Sequence, residues 1–199
     1  MAKYPSDLNF LIACLTKLPG VGTKTAERFA FHLLGWQEGE LTGLSSVLGG
    51  LKEKITMCPE CRCLADCGHC FFCHNPARDP SQLCIIAFPR DAYSIEETGA
   101  FRGVYHVLGG LLSPIDGKMP EHLHLDLLKK RIAILQVKEI IVALDSTLEG
   151  DTTALFLKEQ IQSLGLPVSR LAFGIPIGSS LDFVDGGTLT RALTGRQSF

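Results

Sequence analysis

The sequence predicts an α/β chain in three parts: a helical segment over residues 1–56, a small four-cysteine element over 57–80, and a βα domain over 81–199 with a mainly parallel sheet. Three observations predict it. Apolar residues recur at helical spacing on both sides of Leu18-Pro-Gly-Val-Gly22. Six of the eight cysteines fall between Cys58 and Cys73. From Leu83 onward, short apolar runs alternate with helical stretches, the pattern of βαβ crossovers over a buried parallel sheet.

Ser6 or Asp7 is positioned to cap a first helix that carries Leu8, Leu11, Ile12 and Leu15 on one stripe. Pro19, Gly20 and Gly22 end it, and a second helix over about Thr23–Leu34 presents Ala26, Phe29, Ala30 and Leu33. Leu41–Ile55 reads as further helix interrupted at Gly49-Gly50. Beyond the cysteines, strands are expected over Leu83–Phe88, Gly103–Leu108, Glu139–Leu144 and Val168–Ala172. Helices are expected over Asp91–Thr98, Glu121–Leu135 and Glu149–Leu164, the last striped by Ala154, Leu157, Ile161 and Leu164. Ligand-bearing groups of such sheets gather at the carboxyl ends of the strands.

Nearly half of the residues are apolar, enough for a packed core, and no run approaches the length that crosses a bilayer. The patch Phe10–Cys14 follows Asp7 and has no basic cluster before it, so a secretory signal is not expected. The chain reads as cytoplasmic, with no membrane partner. The net charge is −2, and it divides as +1, −1 and −2 over the three parts. Any contact with nucleic acid therefore comes from a few placed residues, not from a basic field.

Clustered cysteines in a reducing compartment read as metal ligands, not as a disulfide scaffold. Cys58-Pro-Glu-Cys61 and Cys70-Phe-Phe-Cys73 are two C-x2-C knuckles, each placing two thiolates about one tetrahedral ion. Four sulfurs leave no open position for water, so one structural Zn²⁺ held by Cys58, Cys61, Cys70 and Cys73 is expected. Cys63 and Cys67 complicate the choice, because Cys67 also lies three residues before Cys70. His69 and His74 read as bystanders. Free thiols of a redox site are the alternative, but no strand-to-helix context surrounds the knuckles.

Pro19-Gly-Val-Gly-Thr-Lys24 is not a P-loop: Thr23, not glycine, precedes the lysine, and a helix, not a strand, comes first. Helix, Leu-Pro-Gly-Val-Gly, helix reads instead as a helix-hairpin-helix. Gly20 and Gly22 let the backbone approach a phosphate, and the amides opening the second helix point at it. Lys24 and Arg28, four residues apart, share a face as phosphate contacts. A plain αα-hairpin with a solvated basic face is the structural alternative.

Asp145 follows the strand Ile140–Leu144, Glu149 and Asp151 lie near the next helix start, and Asp91 follows the first strand of the sheet. Carboxylates at strand ends can hold Mg²⁺, although acids at a helix N-terminus are also favoured by its dipole. Tyr4, Tyr93 and Tyr105 have no nucleophile setting, and His106 reads as a core or edge residue.

Taken in order, these motifs resemble the RecR family of bacterial recombination proteins across essentially the whole chain. The resemblance is carried by Leu18-Pro-Gly-Val-Gly22 with Lys24, Ala26 and Arg28, by the two C-x2-C pairs, by Leu112–Gly117 with Pro120, and by Gly174–Gly178 with Leu181, Asp185 and Thr188-Leu189. It implies that residues from about 81 form a Toprim domain, whose enzymes place a glutamate at the end of the first strand; here that position is Ala87. Asp91, Glu149 and Asp151 match acidic family positions, which with Asp145 are expected to meet protein partners. The resemblance further implies a non-catalytic mediator of recombination and repair. It would bind gapped, single- or double-stranded DNA as a ring-like homo-oligomer and act with RecO, and with RecF in some settings, to load RecA on SSB-coated gaps. A Toprim-type metal-dependent nuclease or primase-like enzyme is the competing expectation. A zinc-ribbon protein whose βα domain binds only nucleotide or protein is a third.

Overall fold

The computed structural model describes residues 3–196 and divides the chain into two compact units, Met1–Lys54 and Ile55–Phe199. The first holds three helices, α1 (Ser6–Leu15), α2 (Thr23–Leu34) and α3 (Glu38–Lys54). Ile12, Ala26 and Ala30 are its buried residues, packed by Tyr4, Leu8, Leu11, Leu15 and Val21. Alanines at the crossing let α1 and α2 approach closely. Phe29 stays partly exposed, so the stripe expected on α2 is narrower than its sequence suggests.

Two local expectations are corrected here. Pro5, not Ser6 or Asp7, occupies the N-cap of α1, with no side-chain cap; its fixed φ suits the residue entering a helix. Helix α3 runs without interruption through Gly49-Gly50. Glycine in a helix costs about 1 kcal/mol relative to alanine but does not remove a hydrogen bond, so seventeen residues of helix carry four glycines, this pair among them. None of the residues of α3 is buried.

The second unit opens with a two-stranded antiparallel ribbon, β1 (Ile55–Met57) and β2 (Leu64–Asp66), in the register Thr56 to Ala65. The sequence reading missed it, because three-residue strands carry too little alternation to see. Then follow β3 (Asp79–Ile86), α4 (Pro89–Glu96), β4 (Gly103–Val107), α5 (Leu125–Leu135), β5 (Glu139–Ala143), α6 (Leu148–Ile161), β6 (Val168–Arg170) and α7 (Gly186–Thr194). The four longer-range strands form one parallel sheet in the order β4-β3-β5-β6, with Cys84 paired to Tyr105 on one side and to Ile141 on the other.

Side-chain alternation along β3 sorts the core into two layers. Leu83 and Ile85 join Ile140, Val142, Leu128, Ile132, Leu157 and Ile161, the layer under α5 and α6. Cys84 and Ile86 join Tyr105, Val107, Ala92 and the cysteine element on the opposite face. Both faces of the sheet are thus covered, which is why its strands read as continuous apolar runs.

Helix boundaries differ where special backbone intervenes. The helix expected over Glu121–Leu135 is a 3-10 turn (Pro120–Leu123) and then α5, because His124 adopts a left-handed conformation, φ +49°. Helix α4 begins at Pro89, not Asp91. Helix α6 passes into a 3-10 turn at Gln162, leaving Leu164 outside its buried stripe. Helix α7 was not anticipated; Asp185 caps it by accepting from the Thr188 amide at 3.0 Å. Among the described residues no helix is long and apolar enough to cross a membrane.

Candidate functional site

The turn between α1 and α2 is built by Val21 N–H donating to Leu18 O at 3.1 Å, with Gly20 at φ +78°. That left-handed conformation is what requires glycine at position 20. Gly22 is different: it is extended at the N-cap of α2, with no side-chain cap and open space where a Cβ would stand. Its value lies in bare backbone. The first intrahelical bond of α2 is Ala26 N to Gly22 O, so the amides of Thr23, Lys24 and Thr25 precede the ladder and are available to an anion. Lys24 and Arg28 are both exposed and, among the described residues, neither makes an ion pair. Glu27, the acid between them, is instead engaged by Lys3 at 3.1 Å.

In the cysteine element, the sulfurs of Cys58, Cys61, Cys70 and Cys73 all lie within 4.8 Å of one another. Cys58 and Cys73 are 3.8 Å apart and Cys61 and Cys70 3.5 Å, far beyond a disulfide bond of about 2 Å. Hydrogen bonding to Cys63 and burial push the Cys61 thiol well up; hydrogen bonding to Cys61 and burial do the same to Cys73, and burial raises Cys70. Three buried sulfurs and a half-buried one this close hold negative charge only around a cation, and the set fits one four-coordinate metal ion. Cys63 supports the first knuckle through its backbone: its N–H points at Cys61 Sγ (3.4 Å) and its carbonyl accepts from Cys58 N (2.8 Å). Cys67 is exposed on a turn at φ +46°, apart from the set. His69 and His74 pack against each other, and His74 faces Glu60 at 3.7 Å.

Arg131 is the residue that sequence reasoning missed. It is 5% exposed on the inner face of α5, donates to Cys73 Sγ at 3.2 Å, and is held by Glu60 at 3.3 Å. An outer donor of this kind orients a thiolate ligand and offsets its charge. The signal was present: a lone arginine at a core position of the stripe Leu128, Arg131, Ile132.

The acidic residues occupy three separate settings. Asp91 Oδ2 accepts from Phe88 N at 2.7 Å, a helix-capping contact. Asp151 is gripped on both oxygens, by Arg170 and by Arg191, each at 2.6 Å, while the two guanidinium groups flank the Phe173 ring at 4.6 and 4.7 Å. Arg191 also donates to Ser146 Oγ at 2.7 Å. Asp145 and Glu149 are exposed beside the start of α6. Among the described residues the four cysteines converge as a metal-ligand group; these carboxylates do not. Ala87 is buried at the end of β3, where its carbonyl accepts from Gly109 N at 3.1 Å. His106 lies wholly inside β4, and burial together with the nearby Arg131 and Arg62 pushes it down to about 3, so it is a neutral core residue.

Comparison with known proteins follows the same segments. The family model described as "RecR, helix-hairpin-helix" matches residues 8–50, "Toprim domain" matches 81–172, and "RecR, C-terminal" matches 174–197. The Recombination protein RecR of Protochlamydia amoebophila is 56% identical over 197 residues, covering 99% of this chain and all of that protein. The proteins of the same name from Chlamydia felis and from Chlamydia trachomatis serovar D are 50% and 46% identical over 201 residues, with complete coverage of both chains.

Proposed function

This chain belongs to the RecR family of recombination proteins, and from that premise we propose that it is a non-catalytic, DNA-binding mediator that acts as a homo-oligomeric clamp in repair. One observation carries the reading: bare backbone at Gly20 and Gly22, with Lys24 and Arg28 beside it and no acid engaging either cation. Such a site contacts phosphates and positions the duplex without reading bases. A single hairpin of this size binds weakly; several in one assembly act at high effective concentration.

Helix α3 supports assembly. Leu41, Leu44, Leu48 and Leu51 follow three-four-three spacing along one side, and all are between 36% and 62% exposed. That spacing is the seam of a helix that packs against another. A ring-like oligomer gathers the hairpins of its copies around gapped, single- or double-stranded DNA.

The metal is Zn²⁺. Tetrahedral coordination at about 2.3 Å per sulfur sets sulfur–sulfur distances near about 3.8 Å, and the observed 3.8 and 3.5 Å support that size. Its role is structural: it holds the two knuckles with Cys58, Cys61, Cys70 and Cys73, and Arg131 steadies Cys73. The acids Asp91, Asp145, Glu149 and Asp151, of which Asp145 and Glu149 are the exposed ones, are the contacts offered to RecO, and to RecF where it takes part, in loading RecA on SSB-coated gaps. Ala87 in place of a glutamate supports a role without phosphoryl transfer.

Affinity for gapped and duplex DNA across a salt series tests this reading. Lys24→Ala and Arg28→Ala should each weaken binding strongly and lower the log–log salt slope by about one per contacted phosphate, with zinc content unchanged and no cleavage in Mg²⁺. Equal affinities and slopes for wild type and Lys24→Ala would reduce the hairpin to a structural turn.

A further inference from the structure

A second contact surface lies in the Ile55–Phe199 unit. Between the second cysteine knuckle and the start of β4 is a cavity of about 270 Å³, with Phe71 and Phe101 on its walls and Arg78, Arg102, Glu96 and Asn75 among its lining residues. Phe71 is 64% exposed although it sits between two metal-ligand positions, and the edge of Phe72 at 5.8 Å holds its ring. The other wall depends on a glycine. A Cβ at Gly103 would stand 2.4 Å from the Phe101 ring, so only a bare backbone lets that ring lie across the strand entrance.

Arg78 is fixed in place beneath. Its guanidinium stacks over Phe72 at 4.9 Å and Tyr105 at 5.5 Å, donates to Gly103 O at 2.9 Å and pairs with Glu96. The side chain is 7% exposed, and its Nε has no hydrogen-bond partner among the described residues. Asn75 uses its Oδ1 to accept from Ala77 N at 3.0 Å, which leaves its Nδ2 to donate. Arg102 is exposed at the rim, so the two arginines outnumber the one carboxylate.

Two aromatic walls, a surplus cation and an amide donor, in a space the size of one flat heterocycle, are the chemistry that takes an unstacked nucleobase with its phosphate. Aliphatic ligands would gain nothing from the guanidinium groups, and a bare phosphate would gain nothing from the rings. We propose that Phe71 and Phe101, with Arg78 and Arg102, form a base-stacking slot that captures a single-stranded nucleotide, so that this chain distinguishes single strands from duplex through its cysteine element. The inference rests on the DNA-binding reading given above, but it concerns different residues, in the other unit. A base inside a duplex has both faces covered and cannot enter.

The test compares full-length wild type, Phe71→Ala, Phe71→Trp and Lys24→Ala on three probes: single-stranded oligothymidine, the same strand with abasic sites, and a duplex. Phe71→Ala should lose about five- to hundredfold affinity for oligothymidine, the range for one stacked base, while duplex and abasic binding stay unchanged. Phe71→Trp should restore the loss. Lys24→Ala should weaken all three probes alike, which reports on the hairpin independently of the slot. Unchanged oligothymidine affinity in Phe71→Ala overturns the proposal, and so does an equal loss on every probe. A change in sedimentation with loss on all probes would make Phe71 a contact between copies instead. Wild type that binds none of the probes would remove the DNA-binding reading and the slot together.

Discussion

Replacing Gly150 by alanine should destabilise the βα unit, although alanine is the better helix former. Gly150 is buried in the first turn of α6, and its N–H donates to the Thr147 hydroxyl at 3.1 Å. A Cβ built there stands 1.9 Å from the carbonyl oxygen of Asp145, and real contacts of this kind are essentially never below 3.0 Å. The 145–147 loop must therefore retreat by about 1.1 Å or more, and the obstacle is backbone, which cannot swing aside as a side chain would. Overpacking of this kind costs about 1–3 kcal/mol. Strain on the Thr147 cap adds up to about 1 kcal/mol, and the better helix propensity returns about 1 kcal/mol. The net is a loss of up to about 3 kcal/mol, or a Tm lower by up to about 9 °C for a unit of this size. Gly49→Ala is the matched control: nothing lies within 4 Å of its Cβ, so the same substitution in α3 should stabilise by about 0.5–1 kcal/mol. Calorimetry gives the sign, and hydrogen exchange across residues 139–161 locates the loosening. A Gly150→Ala protein with unchanged or raised Tm and unchanged exchange would refute the reasoning.

Cys58→Ser should lower metal content below one ion per chain and loosen the cysteine element, whereas Cys63→Ser and Cys67→Ser should retain the ion; metal analysis of the purified variants decides this. Arg131→Ala should leave the ion bound but speed its loss to a chelator, since Cys73 then lacks its donor. The clamp at Asp151 should be acid-labile. Hydrogen bonding from Arg170, and then the charges of Arg170 and Arg191, hold its carboxyl below the ordinary value of 3.8. Its contribution is thus fully present above 3.8 and lost as the pH falls from there through the lower folded value. Asp151→Asn should flatten that part of the acid-unfolding curve and expose the C-terminal segment to proteolysis; an unchanged curve would show that the arginines are held by Phe173 alone.

How much was legible depended on the range over which each feature is encoded. The α2 boundaries, the order of the βα elements and the cysteine knuckles are written in local spacing, and the sequence was enough for them. The C-x2-C pairs singled out Cys58, Cys61, Cys70 and Cys73, but spacing alone could not show that Cys63 serves through its backbone. What stayed hidden needs partners distant in sequence. Asp151 looks like a free carboxylate until Arg191, forty residues later, is seen to fold back onto it. The ribbon β1–β2 exists because the knuckle between its strands draws them together, not because Ile55-Thr56-Met57 has a strand's pattern. The pair Gly49-Gly50 suggested a break in α3, but propensity is only a weak preference, and seventeen residues of ladder outweigh it.

The amide of Val107 donates to the carbonyl of Cys61 at 2.8 Å, so the first knuckle is tied into the same hydrogen bonding that carries β4. Phe72, between the last two sulfurs, packs edge-on against Tyr105 from that strand at 5.0 Å. The cysteine element is therefore no bead threaded on a linker: it is the lid of one layer of the sheet's core. Cutting the chain at residue 80 would bare Cys84, Ile86 and Tyr105 to water, and the excised piece would lose the wall that shapes it. Because element and sheet share that layer, the two should melt as one cooperative event, and loosening the edge should loosen the centre with it.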